Sequence, residues 1–107
     1  MDITFRREDD GVQGGWFTDD PAGGEGAYLA EITYRWNGVH LDIVHTGVRE
    51  ALRGQDVARR LVQTVIDAAR AEGFKIIPTC PYARKVFRRD PSLHDVLAPG
   101  VVEGLAE

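Results

Sequence analysis

The chain has 107 residues, the length of one small domain. It is 43% hydrophobic and 28% charged, an ordinary globular composition, and its net charge of −4 excludes an overall basic surface of the kind that recruits nucleic acid. A single cysteine excludes an intramolecular disulfide framework and a cysteine-rich zinc site; no apolar run approaches a membrane span, MDITFRREDD holds no apolar signal core, and the expected location is the cytoplasm.

Ile3, Thr4 and Phe5 begin a short strand that ends at Asp9-Asp10-Gly11. Gly14-Gly15 precede a second extended piece, Trp16-Phe17-Thr18. Residues 19–26 (DDPAGGEG) read as loop by composition. Tyr28 to Trp36 and Val39 to Thr46 form a hairpin around Asn37-Gly38, because both turn residues tolerate the positive φ of a type I′ turn. That turn sets a register. Tyr34 faces Leu41, Ile32 faces Ile43 and Ala30 faces His45 on an apolar side predicted to meet the core. Arg35 with His40, Thr33 with Asp42, and Glu31 with Val44 make the wetter side.

From Gly54 the apolar period lengthens from two to about 3.6. Val57, Ala58, Leu61, Val62, Val65, Ile66 and Ala69 form one stripe, and Gly73 stops the helix. Phe74 to Ile77 is a buried strand ended by Pro78, parallel to the strand before the helix through a right-handed crossover. Pro81 suits a helix first turn, which predicts a short helix over Tyr82 to Arg89 with Val86 and Phe87 inward. Asp90-Pro91 stops it, Ser92 to Leu97 makes a last turn, and residues 99–107 are expected to fray. The domain is therefore drawn as 1–98 with a flexible tail at 99–107.

The stretch from His45 to Glu72 organises the rest. A strand hands over to a loop containing Arg53-Gly54-Gln55 and then to a helix N-terminus. Backbone N–H groups in a first helical turn lack internal partners, and with the helix dipole they favour an anion such as a phosphate. The cations fall in two groups: Arg49, Arg53, Arg59 and Arg60 around this loop, and Arg84, Lys85, Arg88 and Arg89 after Cys80. Local positive patches on an acidic chain suit a small polyanion better than a duplex, and solvated helix faces are the plainer reading.

Arg53-Gly54-Gln55-Asp56-Val57-Ala58 resembles the pyrophosphate motif of the Gcn5-related N-acetyltransferase (GNAT) superfamily, Gln/Arg-x-x-Gly-x-Gly/Ala. Ala30 to Tyr34, His45-Thr46, Leu52 to Gln55 and Pro78 to Tyr82 extend the resemblance over roughly 28–91. They point to the short, single-domain group of that superfamily, the YjdJ-type and N-acetyltransferase domain-containing proteins. The resemblance implies an α+β fold: a mixed, mostly antiparallel sheet split into a V, a central helix packed on it, and a short C-terminal helix. It implies acetyl-CoA in the opening, with the pantetheine arm beside Thr46, Gly47 and Val48. The N–H groups of Arg53, Gly54, Gln55, Asp56, Val57 and Ala58 would hold the pyrophosphate, and Arg59 or Arg60 the adenosine 3′-phosphate. Two positions depart from the pattern. Asp56 stands where the motif has a glycine; its carboxylate either repels a pyrophosphate or caps its own helix amides and fills the anion site from within. Gly47 stands where this group carries an acidic residue.

Acetyl transfer needs a deprotonated amine, a polarised carbonyl and a stabilised thiolate. The candidate catalytic residues are Cys80, Tyr82 and His45. Cys80 precedes a helix N-terminus, which favours a thiolate able to carry an acyl group; a buried apolar role is the alternative. Tyr82 follows the last core strand and could protonate the CoA sulfur, or simply pack at the helix start. His45 could act as a base, or sit satisfied on the apolar hairpin face. Glu31, on the other face, could meet a cationic substrate. His40 and His94 show no metal-ligand spacing, so no metal is expected. The expected function is acetyl-CoA-dependent N-acetyl transfer to a small amine or protein amino group, by a monomer or weak homodimer without nucleic-acid or membrane partners. The alternative is a CoA- or acyl-CoA-binding module with little turnover.

Overall fold

The computed structural model describes residues 3–24 and 27–105. Five strands form one sheet in chain order: β1 (Arg6–Asp9), β2 (Gln13–Asp19), β3 (Tyr28–Asn37), β4 (His40–Val48) and β5 (Lys75–Pro78). The first four are antiparallel and β5 is parallel to β4, the mixed sheet expected from the crossover. Alternation puts Ala30, Ile32, Tyr34, Leu41 and Ile43 on one face, all buried. Helix α1 (Val57–Glu72) lays Leu61, Val62, Val65, Ile66 and Ala69 on that face. It ends where Gly73 takes φ 85°, and the Gly73 N–H bonds the Ala69 carbonyl at 2.8 Å.

The hairpin register differs from the predicted one in two ways. Asn37 pairs with His40, so the turn is Gly38-Val39 rather than Asn37-Gly38, and Gly38 supplies the positive φ (63°). A glycine serves the first central position of a type II′ turn as well as the second of a type I′ turn. Tyr34 therefore opposes Ile43, and Leu41 opposes Trp36. Next, Thr33 opposes His45, which leaves Val44 without a partner as a bulge in β4. Past the bulge the faces exchange. Thr46, opposite Ile32, points with the core side, and His45 points to the face away from α1.

Pairing of β4 with β5 stops at Ile43 and Pro78. The Cys80 N–H still reaches the Ile43 carbonyl at 2.8 Å, and helix α2 (Pro81–Arg89) then turns away. Val44 to Val48 continue with no β5 residue beside them, so the sheet forks. Ala83, Val86 and Phe87 of α2 join the same apolar cluster, as do Leu93 and Val96 of the 3-10 turn Pro91–Val96.

The segment expected to fray is docked as far as Leu105. It forms the short helix α3 (Val101–Gly104), and Leu105 is 3% exposed. Arg84 Nη2 donates to the Gly104 carbonyl at 2.7 Å, and Arg88 Nε to that of Leu105 at 2.6 Å. Two arginines read as part of a basic patch thus hold residues 104 and 105. Residues 25, 26, 106 and 107 lie outside the described residues, so part of the 19–26 loop and the last two tail positions do too.

Candidate functional site

The fork between β4 and β5 brings Thr46 and Cys80 together. The Cys80 thiol donates to Thr46 Oγ1 at 3.5 Å, and the cysteine is buried at the N-cap of α2. The bulge at Val44 makes this contact, because without it Thr46 would face the other way. The same bulge sends His45 out of the predicted apolar face. Its Nε2 lies 3.7 Å from Glu31 Oε1, and 59% of its side chain is exposed. His45 and Cys80 therefore occupy opposite sides of β4 and form no dyad. Gly47 lies between these groups: a Cβ there would meet His45 Nε2 at 3.0 Å and Glu31 Oε1 at 3.7 Å.

The loop read from the sequence as an anion site lies at the start of α1. Gly54 has φ 86° and Asp56 has φ 57°, ψ 30°, so the loop keeps two left-handed positions although only one is glycine. Asp is among the few residues that adopt this conformation routinely. Its side chain makes no cap hydrogen bond, which overturns the reading that Asp56 fills the anion site from within. The Asp56 carbonyl accepts from the Arg60 N–H at 3.1 Å, so the N–H groups of Val57, Ala58 and Arg59 precede the helical ladder.

Tyr82 sits at this end as well. Burial pushes its hydroxyl pKa up, the Asp56 carboxylate adds to that, and Arg59 and Arg89 oppose it. These groups line a pocket of about 270 Å³ between α1 and α2, together with Lys85 and Asp90. Arg59 donates to Gln63 Oε1 at 3.1 Å through one nitrogen, leaving others for a ligand. Arg60 is engaged elsewhere: it donates to the Ile3 carbonyl at 3.3 Å and lies 5.8 Å over the Phe5 ring, and it does not line this pocket. Lys85 and Arg89 reach the pocket from α2, a convergence that spacing along the chain does not reveal.

On the far side of β4 a groove of about 470 Å³ is bordered by Glu31, Gly47, Arg49, Glu50 and Arg53. A larger hollow, about 820 Å³, lies over β1 to β4 and holds none of the predicted catalytic or cofactor-binding residues. Among the described residues no cluster of three or more His, Cys, Asp or Glu could hold a metal ion, and no helix is long and apolar enough to cross a membrane.

Residues 17–96 match the family model described as GCN5-related N-acetyl-transferase. The solution structure of a GCN5-like candidate N-acetyltransferase from Staphylococcus aureus is similar at 31% identity and TM-score 0.69, covering 90% of this chain and 88% of that one. The ribosomal-protein-alanine N-acetyltransferase of Brucella melitensis biovar Abortus 2308 is similar at 16% identity and TM-score 0.56, over 75% of this chain and 62% of that one. Nourseothricin acetyltransferase follows at 18% identity and TM-score 0.51, over 92% and 78%. The last two show the fold alone. Among curated proteins none matches the chain.

Proposed function

The chain belongs to the GCN5-related N-acetyltransferase family, and from that premise we propose that it is an acetyl-CoA-dependent N-acetyltransferase acting on a small amine or a protein amino group. The observation that carries this reading is the forked sheet running into an uncapped helix start with two left-handed residues, Gly54 and Asp56. Such a start presents converging N–H groups to a phosphate, so these residues fit the diphosphate of coenzyme A. The N–H groups of Gly54 to Arg59 would hold it; that of Arg53, expected from the sequence to join them, already donates to the Glu50 carbonyl at 3.1 Å. Arg59, Lys85 and Arg89 would hold the further phosphate. The β4 backbone at Thr46, Gly47 and Val48 would hold the pantetheine arm. When bound, acetyl-CoA supplies the activated acyl group.

The remaining roles fall to this chain's side chains. Tyr82, its pKa pushed up, keeps its proton at neutral pH and is therefore suited to give one rather than take one. His45 and Glu31 stand on the exposed side of β4, where an incoming amine can lose a proton to them. Cys80 is held by Thr46 at the point where the strands part, within reach of whatever enters the fork.

Isothermal titration with acetyl-CoA and with 3′-dephospho-CoA tests the cofactor reading. Binding below millimolar concentration is expected, with dephospho-CoA weaker by about tenfold and Arg89→Gln narrowing that gap. No binding at millimolar cofactor sinks the proposal. Intact-mass measurement after incubation with acetyl-CoA tests Cys80. An acetyl adduct absent from Cys80→Ser supports an acyl carrier, and no adduct leaves the cysteine as a packing residue.

The separation of His45 from Cys80, and the bare Gly47, favour a second reading: a CoA-binding module with little turnover. Tight cofactor binding without acetyl transfer to any amine in a broad panel would establish it.

A further inference from the structure

The groove beside the fork carries a charge pattern of its own. Glu31, Gly47, Arg49, Glu50 and Arg53 border it, the first from β3 and the others from the end of β4 and the segment after it. Two carboxylates and two guanidiniums leave it formally neutral but bipolar. Among the described residues no carboxylate lies within ion-pair distance of Arg49 or Arg53. Glu31 Oε1 lies 3.7 Å from His45 Nε2, too long for a hydrogen bond, and among the described residues no lysine or arginine pairs with it. The bare Cα of Gly47 leaves open the space where a Cβ would crowd His45 Nε2 at 3.0 Å and touch Glu31 Oε1 at 3.7 Å.

We propose that this groove is the acceptor site and that it selects a compact amine carrying its own anionic group, an amino acid or similar zwitterion. This rests on the acetyltransferase reading above. The ammonium lies against Glu31, beside His45, and the anion against Arg49, with Arg53, where the proposed phosphate loop begins, bordering the same groove. A guanidinium and a carboxylate form a charge-assisted, directional pair, and free arginines at a groove wall suit such a partner. A volume of about 470 Å³ falls in the range for small-molecule sites of roughly 300–1,000 Å³. A polyamine or a lysine-rich peptide would need a wall of net negative charge, and this one has none.

The test is an amide chemical-shift titration of the full chain, free and saturated with coenzyme A. The probes are β-alanine, γ-aminobutyrate and 5-aminovalerate, with γ-aminobutyramide and spermidine as controls. Shifts are expected at Glu31, Gly47 and Arg49 for at least one amino acid. Arg49→Gln should weaken that binding at least fivefold without altering binding of the amide, and Arg49→Lys should restore part of it. Glu31→Gln should weaken both. The proposal is overturned if the amide or spermidine binds as tightly as the amino acids, if Arg49→Gln changes nothing, or if no probe shifts these residues in either state. Titration of the same variants with acetyl-CoA is read separately. Loss of cofactor binding would strike the acetyltransferase reading, and loss of amine binding the acceptor assignment.

Discussion

Asp56 holds a left-handed backbone at φ 57°, which costs a residue with a Cβ about 1–2 kcal/mol. Asp bears that cost better than most side chains, and its carboxylate makes no compensating cap. Asp56→Gly should therefore keep or raise stability by up to about 1 kcal/mol, whereas Asp56→Ala should lose about 1 kcal/mol. Urea unfolding measures both, and an alanine variant as stable as the parent would mean that the position carries no strain. With the carboxylate gone, the Tyr82 pKa should fall toward its ordinary value, read by ultraviolet titration. A second residue-scale prediction concerns Tyr34, a residue 1% exposed. Its hydroxyl donates to Asp9, which also accepts from Trp36 Nε1 at 2.9 Å. Burial first, and the Asp9 contact second, push the Tyr34 pKa from 10.0 up to about 12. The folded chain thus keeps a proton that the unfolded chain gives up between these values. The stabilisation is complete below pH 10 and is lost as pH rises through 12, on the order of 2 kcal/mol. Tyr34→Phe should flatten that alkaline loss. Asp9 behaves in the opposite sense: its pKa is lowered, chiefly by Tyr34, so its contribution is present above about pH 4 and fades as pH falls.

At the scale of elements, the punctuation of α1 was legible and the irregularity of β4 was not. Gly73 sits at φ 85° with nothing within 4 Å of where a Cβ would stand, so Gly73→Ala meets only backbone strain. A loss of about 1 kcal/mol in urea unfolding is expected, with acetyl-CoA affinity unchanged; a larger loss would mean packing that the geometry does not show. Gly73 could be read because a helix period ending at a glycine has one physical meaning. The apolar alternation Leu41, Ile43, His45 has two. It fits an uninterrupted strand, and it fits a strand whose face flips at Val44. No residue type marks the bulge, since Val44 is a good strand former. The choice is made by β5, which ends at Pro78, and by the fork that follows. The candidate site was therefore legible as a set of residues and not as an arrangement. Cys80 and Thr46 meet at the fork, Asp56 and Arg59 meet Tyr82 between α1 and α2, and His45 crosses to the other face of β4. Likewise Gly38 was legible as a turn glycine, but its position within the turn followed from pairing across the whole hairpin.

For the whole molecule, the chain end is part of the structure it follows. Residues 99–107 read as a frayed tail, because local composition carries no record of partners on another helix. Those partners are Arg84 and Arg88, which bind the carbonyls of Gly104 and Leu105. Leu105 belongs to the same apolar cluster as Leu61, Ile43 and Phe87. Exposing a buried leucine or cutting it to alanine costs about 2–5 kcal/mol, and a terminal position that can relax belongs at the low end. Leu105→Ala should then lower stability by about 2 kcal/mol, and removal of residues 99–107 by at least as much. Because the cluster is continuous, the loss should appear as a shift of one cooperative transition rather than as a separate early step. Thermal unfolding followed by far- and near-ultraviolet circular dichroism distinguishes the two. The effect should also reach the proposed phosphate site: α2 carries Tyr82, Lys85 and Arg89 toward the pocket while Arg84 and Arg88 hold the carbonyls of Gly104 and Leu105. Loosening that hold frees α2 to move against α1, so Leu105→Ala should weaken binding of CoA several-fold at a temperature where the variant is still fully folded. Unchanged affinity there would mean that α2 is fixed by Ala83, Val86 and Phe87 alone.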